Sequence, residues 1–261
     1  MEIHVLGAHN GETRDSKLVS LLVDGILALD AGSLTGSLTM EEQEKIIALI
    51  LSHHHFDHIR DVATLGLNTY TSTKQIFSPP SVLEALTNHI FGHIYPDFTR
   101  LPSPQAPSLR LCPVEPFRPV SVAGYQVLPL PVNHNVPTVG YQVASASGSF
   151  FYTSDTGPGF SNLWEHISPH LLITEVTFPT SREEMAGITG HLTPRLLRGE
   201  LLEIRKRQGR LPAVLVIHMS PAGDEEIRGE LKGLGRELEA SIIVGNEGMK
   251  VLLDAGNIRV L

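Results

Sequence analysis

The chain has little of several things. It contains one cysteine, Cys112, one tryptophan, only 6% aromatic residues, and no apolar run of membrane-spanning length. A lone cysteine excludes an internal disulfide, so the fold does not depend on an oxidising compartment. Positive charge is also short: 20 Lys and Arg stand against 28 Asp and Glu, a formal net charge of −8. That balance argues against an extended nucleic-acid surface. The one basic run, Arg205-Lys206-Arg207 with Arg210, reads as a solvated helix face. The opening MEIHVLGAHNGETRD lacks a basic start followed by an apolar stretch. The expectation is a cytoplasmic protein with no membrane partner.

The 261 residues, 41% apolar and 18% charged, suit a single domain over 1–261 in two β/α halves, roughly 1–118 and 119–261. Short strands are expected at Met1–Leu6, Leu18–Val23 and Ile26–Leu29, the last two joined by the turn Asp24-Gly25. The spacing predicts a helix from Thr39 to Lys45, a buried strand over 46–51 and a helix from Phe56 to Leu65. Residues Tyr95–Pro119 are proline-rich and read as a surface excursion, and the insert 88–118 is expected to shape a substrate cleft. The second half alternates strands and helices, with strands expected at 121–130, 138–144, 149–153, 170–174, 212–217 and 241–244. These patterns suggest two sheets packed face to face with helices outside.

Directly after the apolar run 46–51 comes His53-His54-His55-Phe56-Asp57-His58. Imidazole and carboxylate donors at this density suit a borderline divalent cation, zinc foremost, with manganese or iron as alternatives. Alternation sends His53, His55 and Asp57 to one side of an extended segment, and a turn into a helix brings His58 round, so one loop can serve two metals. Three more candidates each follow an apolar strand: His134 after 125–130, Asp155 after 150–153 and His218 after 213–217. Ligands at the ends of adjacent strands converge on one sheet edge. His54 reads as structural or as a residue that supports the ligands from behind, His89 and His93 as rim or core residues, and His9 as either structural or part of a cleft.

In this order and spacing the residues resemble the metallo-β-lactamase superfamily, whose fold is an α/β, four-layer αββα sandwich with a dinuclear metal site. By that resemblance His53, His55 and His134 hold one metal, Asp57, His58 and His218 hold the other, and Asp155 bridges both. Asp30, in Leu29-Asp30-Ala31-Gly32, is expected to orient ligands without touching metal. Oxygen-reducing di-iron members carry Glu at the position of His55, so His55 argues for hydrolysis.

Further segments narrow the substrate. His134-Asn135-Val136-Pro137-Thr138-Val139-Gly140-Tyr141 resembles a stretch of the phosphodiesterase branches, including tRNA 3′-processing nucleases. The acidic segment Ile173-Thr174-Glu175-Val176-Thr177-Phe178 follows, and Gly190-His191-Leu192-Thr193-Pro194 is similar to a motif of class II cyclic-nucleotide phosphodiesterases. The resemblance implies hydrolysis of a small-molecule 3′,5′-cyclic nucleotide to its 5′-nucleotide. Two cations would share a water and bring its pKa to ~7. His191 is the candidate proton donor, tuned by Glu175, and Asp57 both ligates and accepts from the attacking water. The alternatives are a tRNA-processing-type nuclease or other phosphodiesterase, a thioester or β-lactam hydrolase, and a non-catalytic nucleotide- or metal-binding member. The protruding arm of the processing nucleases has no room in the 21 positions between His134 and Asp155. Similar enzymes form homodimers, but no interface signature is legible.

Overall fold

Alternation within single strands explains the layering. In the strand Leu171–Glu175, Leu171 and Ile173 join one apolar core and Leu172 another, because successive side chains leave opposite faces. In Ser20–Val23 the pair Leu21 and Val23 likewise separates from Leu22. The computed structural model describes residues 1–261 and shows these strands covered on both sides. An eight-stranded and a seven-stranded sheet pack against each other across the core that holds Ile3, Leu21, Val127, Tyr141 and Ile173. Helices carrying Val62, Leu65 and Val82 cover the first sheet, and helices carrying Leu197, Leu201, Ile227 and Leu231 cover the second. The architecture is the expected four-layer αββα sandwich.

Edge to edge, the first sheet runs Asn257–Val260, Lys250–Asp254, Glu2–Gly7, Ser20–Val23, Leu27–Leu29, Ala48–Ile50, Lys74–Ser78, Leu109–Pro113. The second runs Ile242–Val244, Ala213–Ile217, Leu171–Glu175, Gly148–Tyr152, Val139–Ser145, Tyr125–Pro131, Val120–Val122. The closing hairpin 250–260 thus returns to the first sheet beside Glu2–Gly7, so sheet membership does not follow the division at 118/119.

Three local expectations differ from the structure, the first being the strand expected at 121–130, which is the antiparallel pair Val120–Val122 and Tyr125–Pro131. Within the proline-rich excursion, Leu109–Pro113 is a true edge strand, parallel to Lys74–Ser78. Its edge position explains how a sequence ending in proline is tolerated there. The single helix expected over Phe56–Leu65 is two, Phe56–Ile59 and Val62–Asn68. The break follows from competing bonds: Asp61 N donates to Ala31 O at 2.8 Å, and Asp61 Oδ2 accepts from Thr35 N and Oγ1 at 2.8 and 2.9 Å. No helix is long and apolar enough to cross a membrane.

His9 is a clamp. Its Nδ1 lies 2.6 Å from Glu247 Oε1 and its Nε2 3.3 Å from Asp224 Oδ1, tying the end of the first strand to the C-terminal segment. Burial opposes a charged His9 ring, but the two carboxylates overcome it and raise its pKa above 6.5. Burial likewise opposes an ionised Glu247, yet His9 and the Lys17 amide hold its carboxyl down at about 2, from 4.5. The Glu247 contribution is present above pH 4.5 and lost as pH falls toward 2, whereas the His9 contribution is present below 6.5 and lost as pH rises through its elevated value. Glu247→Gln should therefore cost about 1–3 kcal/mol in urea denaturation near pH 5.5 and clearly less near pH 8.5. An equal cost at both would show that the pair is not ionic.

Candidate metal centre

Parallel pairing brings the site together. The strands Gly148–Tyr152, Leu171–Glu175 and Ala213–Ile217 run side by side in one direction, so Asp155, Glu175 and His218 emerge at one edge. Tyr125–Pro131 runs the same way, antiparallel to Val139–Ser145, which is itself antiparallel to Gly148–Tyr152, and delivers His134 there. From the facing sheet, Ala48–Ile50 delivers the histidine cluster. Asp30, Ser154 and His218, all at strand ends, have φ of 53°, 57° and 60°. This left-handed backbone, uncommon for residues with a Cβ, turns the chain sharply at the strand ends.

All seven sequence-derived ligand candidates converge. His53, His55, His134 and Asp155 form one group, and Asp57, His58, Asp155 and His218 a second, each with its ligand atoms within 4.8 Å of one another. The Asp155 carboxylate divides between them. Its Oδ2 lies 3.6 Å from His53 Nε2 and 3.8 Å from His134 Nε2, while Oδ1 lies 3.2 Å from His58 Nε2 and 3.3 Å from His218 Nε2. Asp57 Oδ2 stands 3.3 Å from His218 Nε2. The His55 atom facing the first group is Nδ1, 3.3 Å from His134 Nε2. Asp155 is 2% exposed, but Asp57 is 25% and His191 12% exposed at their side chains, so the mouth lies on the Asp57–His191 side.

The far nitrogen of each buried ring is held by an acceptor. His58 Nδ1 donates to Asp30 Oδ2 at 2.8 Å, and His134 Nδ1 donates to Gly190 O at 2.9 Å. Ser52 Oγ gives its only proton to Asp30, so it accepts from His53 Nδ1 at 3.0 Å. Thr177 Oγ1 donates to Glu175 Oε2 at 2.6 Å and accepts from His218 Nδ1 at 2.8 Å. With a proton on each Nδ1, Nε2 is the nitrogen that these four rings turn to the clusters, able to ligate when the ring is neutral. Asp30 also accepts from Ser52 N and Tyr152 OH.

His53 Nε2 and Asp155 Oδ1 are buried without a hydrogen-bond partner. A divalent cation between convergent imidazole and carboxylate donors satisfies both, so the residues fit metal ions. The electrostatics agree. Burial opposes charge on Asp57 and Asp155, but the imidazoles overcome it, holding Asp57 at about 2 and Asp155 well below the carboxylate range. Burial, reinforced by His58, keeps His53 well below the ordinary imidazole range.

His191 closes the site. Its ring stacks on His218 with centroids 5.4 Å apart and lies 5.1 Å from that of His134. Nδ1 donates to Glu175 Oε1 at 2.6 Å, leaving Nε2 without a partner in the chain. Burial opposes the charged ring, but Glu175 raises its pKa to about 9. Glu175 is itself fixed by Thr156 N, Thr177 N and Leu192 N. His54 stands against His55 with its Nδ1 buried and unpaired, and the exposed His89 and His93 join neither cluster. Ser52, Tyr152 and Thr177 are contributors that sequence reasoning missed. Each is adjacent or close to a candidate residue in sequence, but its partner lies far along the chain.

The sequence matches the profile of the beta-lactamase superfamily domain over residues 21–219. The chain belongs to this family. Solved structures share its fold. The metallo-β-lactamase fold protein YhfI from Bacillus subtilis superimposes with a TM-score of 0.75 at 19% identity, covering 95% of this chain and 98% of that one. Unliganded PDE1 from yeast gives 0.80 at 18%, with the same coverage of 95% and 98%. Human tRNase Z, short form, gives 0.67 at 16% over 97% and 99%. At these identities the likeness concerns the fold alone. An octanoyltransferase of Porphyromonas gingivalis is 30% identical over 101 residues, 38% of this β-lactamase superfamily chain, which spans only 20% of that relative's length.

Proposed function

We propose that the protein is a phosphodiesterase that hydrolyses 3′,5′-cyclic nucleotides to 5′-nucleotides. The observation that carries this reading is the Glu175–His191 pair seated at the mouth of two ligand clusters that share Asp155. A proton donor in that position, beside a site suited to a phosphate anion, is what the reading calls for. A small substrate is supported by the segment between His134 and Asp155, which consists of the loop to Val139 and the tight hairpin Val139–Ser145/Gly148–Tyr152, with no protruding arm.

His53, His55 and His134 would hold one divalent ion and Asp57, His58 and His218 a second, with Asp155 between them, zinc being favoured by the nitrogen-rich donor set. When bound, such ions lower the pKa of water and offset charge on the phosphate oxygens. Asp57 Oδ2, at the open side, accepts a hydrogen bond from the attacking water. The attacking water gives up one proton to solvent, a new oxygen–phosphorus bond forms as the bond to the ribose 3′-oxygen breaks, and His191 Nε2 gives the departing oxygen its proton. Glu175 fixes the ring so that Nε2 faces outward and stabilises its charged form.

His191→Ala should lower kcat for cyclic AMP by ~10²–10⁴-fold with metal content unchanged. Unchanged turnover at full metal content would remove His191 from the mechanism. The reading as a whole is tested by hydrolysis of cyclic AMP and cyclic GMP beside bis(p-nitrophenyl) phosphate, with metal quantified. Cleavage of the activated diester alone would keep a phosphodiesterase site and reject cyclic nucleotides.

A further inference from the structure

Thr177 stands where the second ligand group meets the proton donor. Its hydroxyl makes three contacts, all with residues of the site: Glu175 Oε2 at 2.6 Å, His218 Nδ1 at 2.8 Å and His191 Nδ1 at 3.3 Å. Other buried threonines bond a nearby backbone carbonyl, Thr69 reaching Leu65 O, Thr153 reaching Ser154 O and Thr156 reaching Gly157 O. That is the usual local outlet for such a hydroxyl. The backbone explains why Thr177 differs. Val176 N donates to Ile217 O at 3.1 Å, and Ser220 N donates to Thr177 O at 3.0 Å. These bonds fall on either side of His218, so the sheet edge itself lays Thr177 against that ring. Thr177 is fully buried and branching at Cβ restricts its rotamer, which fixes the direction of the hydroxyl.

The two main partners depend on Thr177 unequally. Glu175 accepts from three backbone amides as well, Thr156 N on Oε1 and Thr177 N and Leu192 N on Oε2. Those bonds survive any change of the Thr177 side chain. They also leave the carboxylate an acceptor, so the one hydroxyl proton goes to Glu175 and the oxygen accepts from His218. His218 Nδ1 has no other partner in the chain. The first ligand group does not draw on Thr177 at all, since Ser52 holds His53 and Gly190 O holds His134.

We propose that Thr177 is a positioning residue that extends the Glu175 carboxylate to the second ligand group. Glu175 orients the proton donor His191 through Oε1 and, by way of the Thr177 hydroxyl, the ligand His218 through Oε2. One carboxylate thereby sets two rings that stack with centroids 5.4 Å apart. The proposal rests on the ligand assignment within the reading above, not on the identity of the substrate. Its consequence is selective. Without the hydroxyl, His218 Nδ1–H is buried with no acceptor, which favours the tautomer protonated at Nε2. That nitrogen faces the cluster, and once protonated it offers no lone pair to a metal ion.

The test is zinc titration of the wild-type chain, Thr177→Val and Thr177→Ser against a competing chelator, with turnover of cyclic AMP and bis(p-nitrophenyl) phosphate followed alongside. Thr177→Val, close to threonine in shape, should weaken one of two zinc ions by about 10–100-fold and leave the other nearly unchanged. Thr177→Ser, which keeps the hydroxyl, should restore most of that loss. Turnover of both diesters in Thr177→Val should recover together as zinc is raised, because the Glu175–His191 pair stays in place. Equal weakening of both ions, or a serine variant no better than valine, makes Thr177 a packing residue and overturns the proposal. Nitrogen-15 NMR of zinc-loaded wild-type protein labelled at histidine needs no variant: His218 should carry its proton on Nδ1, and a proton on Nε2 overturns the proposal even if Thr177→Val does not fold. The expected zinc pattern in a protein that cleaves neither diester supports the role of Thr177 and rejects the phosphodiesterase reading.

Discussion

Asp155→Ala should leave at most one firmly held metal ion per chain and lower phosphodiester hydrolysis by about 10³–10⁵-fold. The magnitude follows from the several kcal/mol of charge stabilisation that bound cations supply and the tenfold change in rate per 1.36 kcal/mol. The cause is positional. Asp155 Oδ2 faces His53 and His134, and Oδ1 faces His58 and His218, so removing one side chain takes a donor from both groups at once. It also leaves imidazoles crowded without their shared anion. Asp155→Asn separates shape from charge, since it preserves volume but offers one acceptor oxygen. Metal analysis after dialysis, beside hydrolysis of bis(p-nitrophenyl) phosphate, reads both effects. Two ions per chain with near-normal turnover in Asp155→Ala would remove Asp155 from its bridging place.

The second large effect is expected away from the metals. Asp30→Ala should destabilise the fold by about 3–5 kcal/mol, the cost typical of removing one partner from a buried ionic pair, and weaken metal affinity by roughly 10–100-fold. Asp30 is fully buried and accepts from Ser52 N, Ser52 Oγ, His58 Nδ1 and Tyr152 OH. Burial opposes charge on His58, but Asp155 and Asp30 overcome it and hold the ring well above the imidazole range. Without Asp30, four donors lose their acceptor in a region closed to water. Urea denaturation of metal-stripped and metal-loaded protein separates the two consequences. At about 2–4 °C per kcal/mol, the melting temperature should fall by roughly 10 °C. Tyr152→Phe, which removes one of the four donors, should cost only about 1 kcal/mol. If Asp30→Ala cost no more than that, the carboxylate would not organise the network.

The ligand candidates were legible because their signal is local. Four donor side chains crowd His53–His58, and His134, Asp155 and His218 each follow an apolar strand. Strand ends in parallel sheets meet at one edge, so the order of apolar runs and polar ends already implies a shared site. The roles of Ser52, Tyr152 and Thr177 were not legible. Thr177 acts by bonding Glu175, two residues away, and His218, 41 residues away, and nothing in its neighbourhood announces the second partner. The edge strand Leu109–Pro113 was hidden for a different reason. Its proline-rich surroundings suppress strand propensity, and only pairing with Lys74–Ser78 reveals it. The broken helix at Arg60–Asp61 depends on Asp61 reaching Thr35, a tertiary bond that overrides helical periodicity.

The left-handed backbone at Asp30, Ser154 and His218 bears on when the site acquires its shape. Each such residue carries a conformational penalty of order 1–3 kcal/mol and persists because its surroundings over-determine it. Here the surroundings are the strands themselves, with their ladders ending immediately before each turn. Asp155, next to Ser154, and His218 therefore have their directions set when the sheets assemble, not when an ion arrives. Ordering entropy is spent in folding, so an incoming cation or phosphate meets a preorganised receptor and little of its binding energy goes into arranging side chains.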